Sequence, residues 1–351
     1  GRALLKRPGQ LTTEKFLSRY WQKKPLFMPQ AIKSMRPSIT RNELAWLATL
    51  DDVESRIVTT IRENERTRYY VESGPFDAAF LGALPGRDWT LLVHDVDKHL
   101  PAMRRLFRQV PFIPDWRIDD LMISFAAPGG GVGPHRDNYD VFLCQGIGVR
   151  EWRFSTDNIA EDTAASDQLV LLREFAGDAC HTARTGDVLY LPPGVAHWGT
   201  AQRACMSYSI GMRAPLAYCD PDLQLEEVRP GYISKAALRR AGKNAATLGC
   251  EVTDVKEWLR PRVPTNQEVT HYLQNMRAAP QLHLHGMARL AFDDDALYLN
   301  GERRDLGSDD RHVIEAICRK RRLTSKLRST LSPELFAWLI RHGAFELPGI
   351  P

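Results

Sequence analysis

The spacing of apolar positions divides the chain into three stretches of different character. Near the start, Phe16, Leu17 and Tyr20 recur at helical spacing behind Thr12, with Glu14 in the first turn, which predicts a short amphipathic helix over 12–20. Pro25 and Pro29 then force an extended path. Leu44, Leu47 and Leu50 predict a second helix over 41–50. From there the period falls to two. SRIVTTI and TRYYVESG read as strands joined by a charged turn around Glu63 to Glu65, and WTLLVHDV at 89–96 as a buried strand. HLPAMRRLFRQV predicts a helix that ends before Pro111. IDDLMISFAA, DVFLCQGIGVREWRFS, QLVLL, HTARTGDVLYLPPGVAHW and ACMSYSIGMRAP then supply one strand after another, the second of these segments folding back at Gly146 and Gly148.

At least eight short strands are thus expected between 89 and 214, with no long helix among them. A series of this kind predicts a jelly-roll barrel, a double-stranded β-helix in a mainly β chain with some α. After Pro215 the pattern turns helical, as in SKAALRRAGKNAATLG and NQEVTHYLQNMRA, and residues 216–280 are expected to form a helical module. Its apolar positions need more cover than one thin layer provides, so it is the expected dimerisation element of a homodimer. From Gln281, LHLHGMARLAF and ALYLNGERRDL alternate around Asp293 to Asp295, with helices expected at 308–322 and 332–342, a small winged-helix-like unit. The expected domains are therefore 1–215, 216–280 and 281–351.

Composition narrows the function classes. With 43% hydrophobic residues the chain has the means for a core, and 26% charged residues with a net charge of +4 fall short of the excess that marks nucleic-acid binding. The basic run RKRRLTSKLR at 319–328 reads as a solvated face, and direct nucleic-acid binding is not expected. Six scattered cysteines without a CxxC pair favour a reducing compartment. No apolar run reaches the roughly 18 residues of a membrane span and no secretory leader is evident, so the expected location is cytoplasmic, with no membrane partner.

The chemistry concentrates in PGGGVGPHRDNYD at 128–140. His135 and Asp137 are two residues apart, so on a strand both side chains leave the same face. His197, at the end of GDVLYLPPGVAHWG, is the best third ligand, presented by the bend at Pro192 to Gly194 after a buried strand. Two histidines and a carboxylate make the facial set that suits non-haem Fe(II) and leaves positions open. Tyr139 falls on the ligand face by parity, where it either flanks a substrate or packs in the core, and Met122 and Arg136 lie near the same segment. The glycines before His135 are expected to let a large side chain approach the metal over bare backbone. HLH at 283–285 has the spacing of a metal pair but no third ligand nearby, and reads as structural.

The strand GVREWRFS adds a second requirement. Arg150, Trp152 and Phe154 share one face, and an arginine beside two aromatics is expected to point inward. A buried guanidinium without a carboxylate costs several kcal/mol. Its partner is either an Asp or Glu of the chain or a dicarboxylate ligand held by two parallel hydrogen bonds.

FLSRYWQKKPLF, WRIDDLMISFAAPGGGVGPHRDNYDVFLCQGIGVREW and GDVLYLPPGVAHWG resemble the corresponding segments of the JmjC-type 2-oxoglutarate oxygenases, and in particular the bacterial ribosomal oxygenases. The resemblance implies a cupin-like JmjC barrel that uses Fe(II), 2-oxoglutarate and O2 to hydroxylate an arginyl residue of a large-subunit ribosomal protein. It implies that His135, Asp137 and His197 are the iron triad and that Arg150 binds the far carboxylate of 2-oxoglutarate. The chain departs from the family at Ala126, where a serine is usual, and at Ser207, where an asparagine is usual; Ser124 and Ser207 are the expected replacements in cosubstrate binding. Histidyl hydroxylation or lysine demethylation on the same scaffold, or a metal-binding cupin module without catalysis, are the alternatives.

Overall fold

The computed structural model describes residues 11–33, 35, 39–63, 66–113, 117–212, 231–232 and 281–346. The chain divides into two compact units, one made of residues 1–111, 119–216 and 221–224, the other of 112–118, 217–220 and 225–351.

The first unit is built from β1 (Leu26–Met28), β2 (Ser55–Glu63), β3 (Arg66–Ser73), β4 (Trp89–Val93), β5 (Ile118–Ala126), β6 (His135–Arg136), β7 (Val141–Ile147), β8 (Val149–Ser155), β9 (Ala179–Arg184), β10 (Val188–Leu191), β11 (Ala196–Ala201) and β12 (Cys205–Met212). They form an eight-stranded sheet, β1-β10-β7-β12-β5-β4-β2-β3, and a four-stranded sheet, β6-β11-β8-β9. From β7 onward the chain passes repeatedly between the two sheets, as a double-stranded β-helix requires. Val141, Leu143, Leu189 and Leu191 of the large sheet meet Trp152, Phe154 and Ala183 of the small one in a single apolar cluster. Each such fully buried side chain contributes roughly 1.5–3 kcal/mol.

The N-terminal helix Thr13–Arg19 begins where Thr12 Oγ1 accepts a hydrogen bond from the Lys15 amide. Its fully buried Phe16 packs edge-on against Tyr190 on β10, with ring centroids 4.9 Å apart, and lies 5.8 Å from Phe142 on β7. The helix Arg41–Leu47 carries a complete capping box between Thr40 and Glu43.

Four local expectations differ from what forms. The segment before Pro111 is a short helix, Val96–His99, followed by a 3-10 helix, Pro101–Gln109; Pro101 has no amide hydrogen with which to continue the α ladder. QLVLL forms no strand. It is a loop with one isolated bridge, Glu161 to Leu172, held by the burial of Leu171 and Leu172. The turn between β7 and β8 sits at Gly148 alone, with φ at +70°, whereas Gly146 lies inside β7, where a Cβ would come within 2.2 Å of the Tyr208 ring. The glycines of the loop before His135 serve close packing of backbone on backbone. A Cβ on Gly130 would stand 2.1 Å from the Trp89 carbonyl oxygen and one on Gly131 2.4 Å from that of Gly199.

The second unit contains a two-stranded sheet of β13 (Gln281–His283) and β17 (Arg322–Thr324) and an antiparallel sheet of β14 (Leu290–Phe292), β15 (Ala296–Leu299) and β16 (Glu302–Asp305). Its helices are Ser308–Lys320, Ser325–Arg328 and Pro333–Arg341. Phe292, Leu297, Val313, Ile317, Leu339 and Phe345 belong to one buried cluster. Apart from residues 231–232, the helical module expected at 216–280 lies outside the described residues.

Candidate metal centre

β6 and β11 pair antiparallel with His135 directly opposite His197, and this register brings together two histidines far apart in sequence. Their rings lie 4.1 Å apart, centroid to centroid. Asp137 follows just beyond β6, with carboxylate oxygens 3.9 Å from His135 Nε2 and 3.6 Å from His197 Nε2. Among the described residues this is the group of three whose ligand atoms converge, all within 4.8 Å of one another. His283 and His285 join no such group. His283 Nε2 meets the side-chain amide of Gln281, and His285 Nδ1 accepts from the Met287 amide.

The backbone sets the tautomer of both rings. His135 Nδ1 lies 2.9 Å from the Gly133 carbonyl oxygen, and His197 Nδ1 lies 3.0 Å from that of Val195. A carbonyl only accepts, so each Nδ1 carries a proton, and in the neutral ring this is the tautomer that offers Nε2 to the partner ligands. Burial pushes His197 down to about 4, with His135 adding to the effect and Asp137 opposing it. The ring is therefore neutral near pH 7, as a metal ligand must be. The Gly194 amide donates to the Asp137 backbone carbonyl, tying the bend before β11 to the third member.

A buried polar cluster anchors the chain between Asp137 and β7. Asp140 is inaccessible to solvent and accepts from Tyr190 Oη at 2.5 Å and from Gln22 Nε2 at 3.1 Å, while the Gln22 amide donates to Tyr190 Oη. Three distant segments thus meet at a residue three positions after Asp137.

The triad lines a cavity of about 310 Å³. The strand side chains around it come at intervals of two: Arg56 and Val58 on β2, Thr90 and Leu92 on β4, Asp120, Met122 and Ser124 on β5, Val141 and Leu143 on β7, Arg150 and Trp152 on β8, Ser209 and Gly211 on β12. Arg150 is 5% exposed; its Nη1 donates to Ser124 Oγ at 3.4 Å, its guanidinium lies 5.3 Å from the Trp152 ring centroid, and its Nε has no partner. Among the described residues no carboxylate pairs with it, which leaves a buried cation with donors to spare. Thr90 Oγ1 is also buried without a partner.

Ser124 lines the cavity beside Arg150, but Ser207 does not. Its Oγ donates to Oε1 of Gln145, its partner on β7, at 3.0 Å, and the serine that lines the cavity is Ser209. Met122 lines the wall. Tyr139 stands at the mouth, 40% exposed, on a bend after the two-residue β6 rather than on a strand. Arg136 is spent on the loop that follows β8, donating to the carbonyls of Ile159 and Asp157. Thr90, Asp120 and Ser209 were not singled out from the sequence, although the period of two through β4, β5 and β12 carried the signal.

Residues 105–218 match the model of the JmjC domain. The ribosomal protein uL16 3-hydroxylase of Escherichia coli is 32% identical over 347 residues, covering 89% of this chain and 90% of that protein. The chain belongs to the JmjC ribosomal oxygenases. A probable ribosomal oxygenase of Haemophilus influenzae is 32% identical over 252 residues, 68% of this chain and 61% of that one. The X-ray structure of E. coli YcfD superposes with a TM-score of 0.74 at 28% identity, covering 96% of this chain and 98% of that chain. A structure of YcfD in complex with cobalt and 2-oxoglutarate aligns with a TM-score of 0.69 at 29% identity, over 95% and 97% of the two chains. The protein is therefore an oxygenase with the mainly β, cupin-like fold of this family.

Proposed function

We propose that this ribosomal oxygenase is an Fe(II)- and 2-oxoglutarate-dependent hydroxylase of an arginyl residue in ribosomal protein uL16. The observation that carries the reading is the pairing of a His-Asp-His set, its Nε2 atoms turned toward one another, with a buried Arg150 that meets no carboxylate among the described residues. The residues fit both groups. His135, Asp137 and His197 are the donors for the metal, and Arg150 with Ser124 offers the two-pronged donor surface for the far carboxylate of the cosubstrate. Bound iron, 2-oxoglutarate and O2 supply the oxidising chemistry, which places one oxygen atom on a substrate carbon and the other in succinate, with release of CO2.

The chain's own side chains do the rest. The carbonyls of Gly133 and Val195 hold the imidazoles in one tautomer. Val141, Leu143 and Trp152 give the cavity dry walls. Asp120 lines the same cavity and suits a guanidinium better than a neutral imidazole, which favours arginyl over histidyl hydroxylation. Met122 and Tyr139 supply surface for the aliphatic stem. The test combines the iron-loaded protein, 2-oxoglutarate and unmodified uL16. Succinate and one added oxygen on an arginine are expected; oxygen on a histidine, loss of methyl groups, or no succinate would each defeat the reading.

The finer architecture belongs to the same proposal: a catalytic domain over 1–215, a helical dimerisation module over 216–280 making a homodimer, and a winged-helix-like unit over 281–351. The antiparallel sheet of β14, β15 and β16 beside the helices Ser308–Lys320 and Pro333–Arg341 supports the last of these. A ribosomal-protein substrate fits a cytoplasmic location, and no described helix is long and apolar enough to cross a membrane.

A further inference from the structure

The loop between β8 and β9 displays an apolar side chain that the fold itself does not use. Val170 is 73% exposed, yet it lines the cavity of the metal centre. Its neighbours are accounted for. Leu171 is 2% exposed and packs with Val58, Tyr69 and Leu92, and Leu169 is half-buried against the same cluster. The backbone around them is pinned. The Asp162 amide donates to the Leu171 carbonyl and the Leu172 amide to that of Pro134, both at 2.8 Å. Gln168 Oε1 accepts from the Val71 amide at 2.9 Å, and Ser166 Oγ accepts from the amides of Gln168 and Leu169.

A loop held at so many points cannot fold Val170 inward on its own. Among the side chains that line the cavity, Val170 and Tyr139 are the exposed ones, so they mark its mouth. We propose that Val170 is a specificity-determining residue, a preformed apolar lip that packs against the polypeptide substrate beside the reacting side chain. This rests on the reading that the cavity receives a side chain of uL16. A polypeptide is the fitting occupant because a small dicarboxylate held at Arg150 offers no apolar surface for a valine at the rim. A substrate side chain that enters the cavity must instead bring its backbone and neighbours across that rim.

The experiment compares wild type, Val170→Leu and Val170→Asp in the full chain, with unmodified uL16 as the varied substrate. Wild-type turnover of uL16 comes first, since its absence defeats the functional reading and not the lip itself. Given turnover, Val170→Asp is expected to raise the KM for uL16 by roughly tenfold or more, the scale of losing one valine's apolar contact and adding a charge. The KM for 2-oxoglutarate should stay within about twofold in both variants, and Val170→Leu should raise the KM for uL16 much less than Val170→Asp does, because it preserves apolar surface. An unchanged KM for uL16 in Val170→Asp, or an equal rise in both constants, overturns the proposal. Equal thermal stability of the three proteins excludes a folding defect, as expected for a side chain so exposed.

Discussion

Arg150→Met should weaken cosubstrate binding while leaving the cosubstrate-free protein as stable as before or more so. The native guanidinium is 5% exposed, and among the described residues it has Ser124 as its one side-chain hydrogen-bond acceptor, an unpartnered Nε and no carboxylate, so its buried charge is uncompensated there. Exchanging buried ionic groups for apolar ones of similar size is often neutral, or stabilising by about 1–4 kcal/mol. In the complex the balance reverses, because loss of one partner of a buried, hydrogen-bonded charge pair costs about 2–5 kcal/mol. At about 1.4 kcal/mol per decade, that is a loss of roughly thirty-fold to several thousand-fold in affinity for 2-oxoglutarate. Thermal unfolding reads both arms. At 100 times the wild-type Kd, 2-oxoglutarate should stabilise the wild-type protein by about 2.7 kcal/mol, a Tm rise of about 5–10 °C. The variant should show about a third of that rise at the smallest expected loss and almost none at the largest. Metal affinity should hardly change, since the triad is separate from Arg150. An undiminished 2-oxoglutarate response would show that another group takes the far carboxylate, and a large drop in the Tm of the ligand-free variant would show that Arg150 is a structural residue.

Asp137→Ala should abolish stoichiometric iron binding, because two imidazoles alone remain; metal content after dialysis measures it, and retention of iron would contradict the assignment. Gly131→Ala should cost about 2 kcal/mol or more of stability and loosen the iron site, since its Cβ would stand 2.4 Å from the Gly199 carbonyl oxygen, two residues from His197; denaturant titration and metal content check both. In the metal-free protein, His197 is depressed to about 4 from its ordinary 6.5, so the unfolded chain takes up a proton first as pH falls. Its stabilising contribution is therefore complete above about pH 6.5 and is lost between there and about pH 4, by about 3 kcal/mol; denaturation midpoints at pH 7.5 and 5 should differ more in wild type than in His197→Gln.

Much of the site was legible because its signals are local. Arg150 and Trp152 declare a shared face through spacing alone, since a strand turns its side chains over every residue, and the same spacing pointed to His135 and Asp137 although Asp137 lies just beyond β6. The same rule placed most of the strands and made the second half of the first unit a β-helix. It failed where chemistry depends on partners distant in sequence. Ser207 and Ser209 have the same parity, but Ser207 lies opposite Gln145 and hydrogen-bonds to it, whereas Ser209 lies opposite Leu143 and lines the cavity. QLVLL has the composition of a strand, yet the pocket formed by Val58, Tyr69 and Leu92 holds Leu171 in a loop and sets Val170 at the cavity mouth. The amino-acid sequence by itself determined which residues are able to bind a metal and a dicarboxylate. Only the tertiary structure decided that His197 faces His135 across β6 and β11, that Arg150 meets no carboxylate among the described residues, and that Gln22 and Tyr190 join Asp140. Each of these depends on sheet register and burial, which arise when segments far apart in the chain compete for the same contacts.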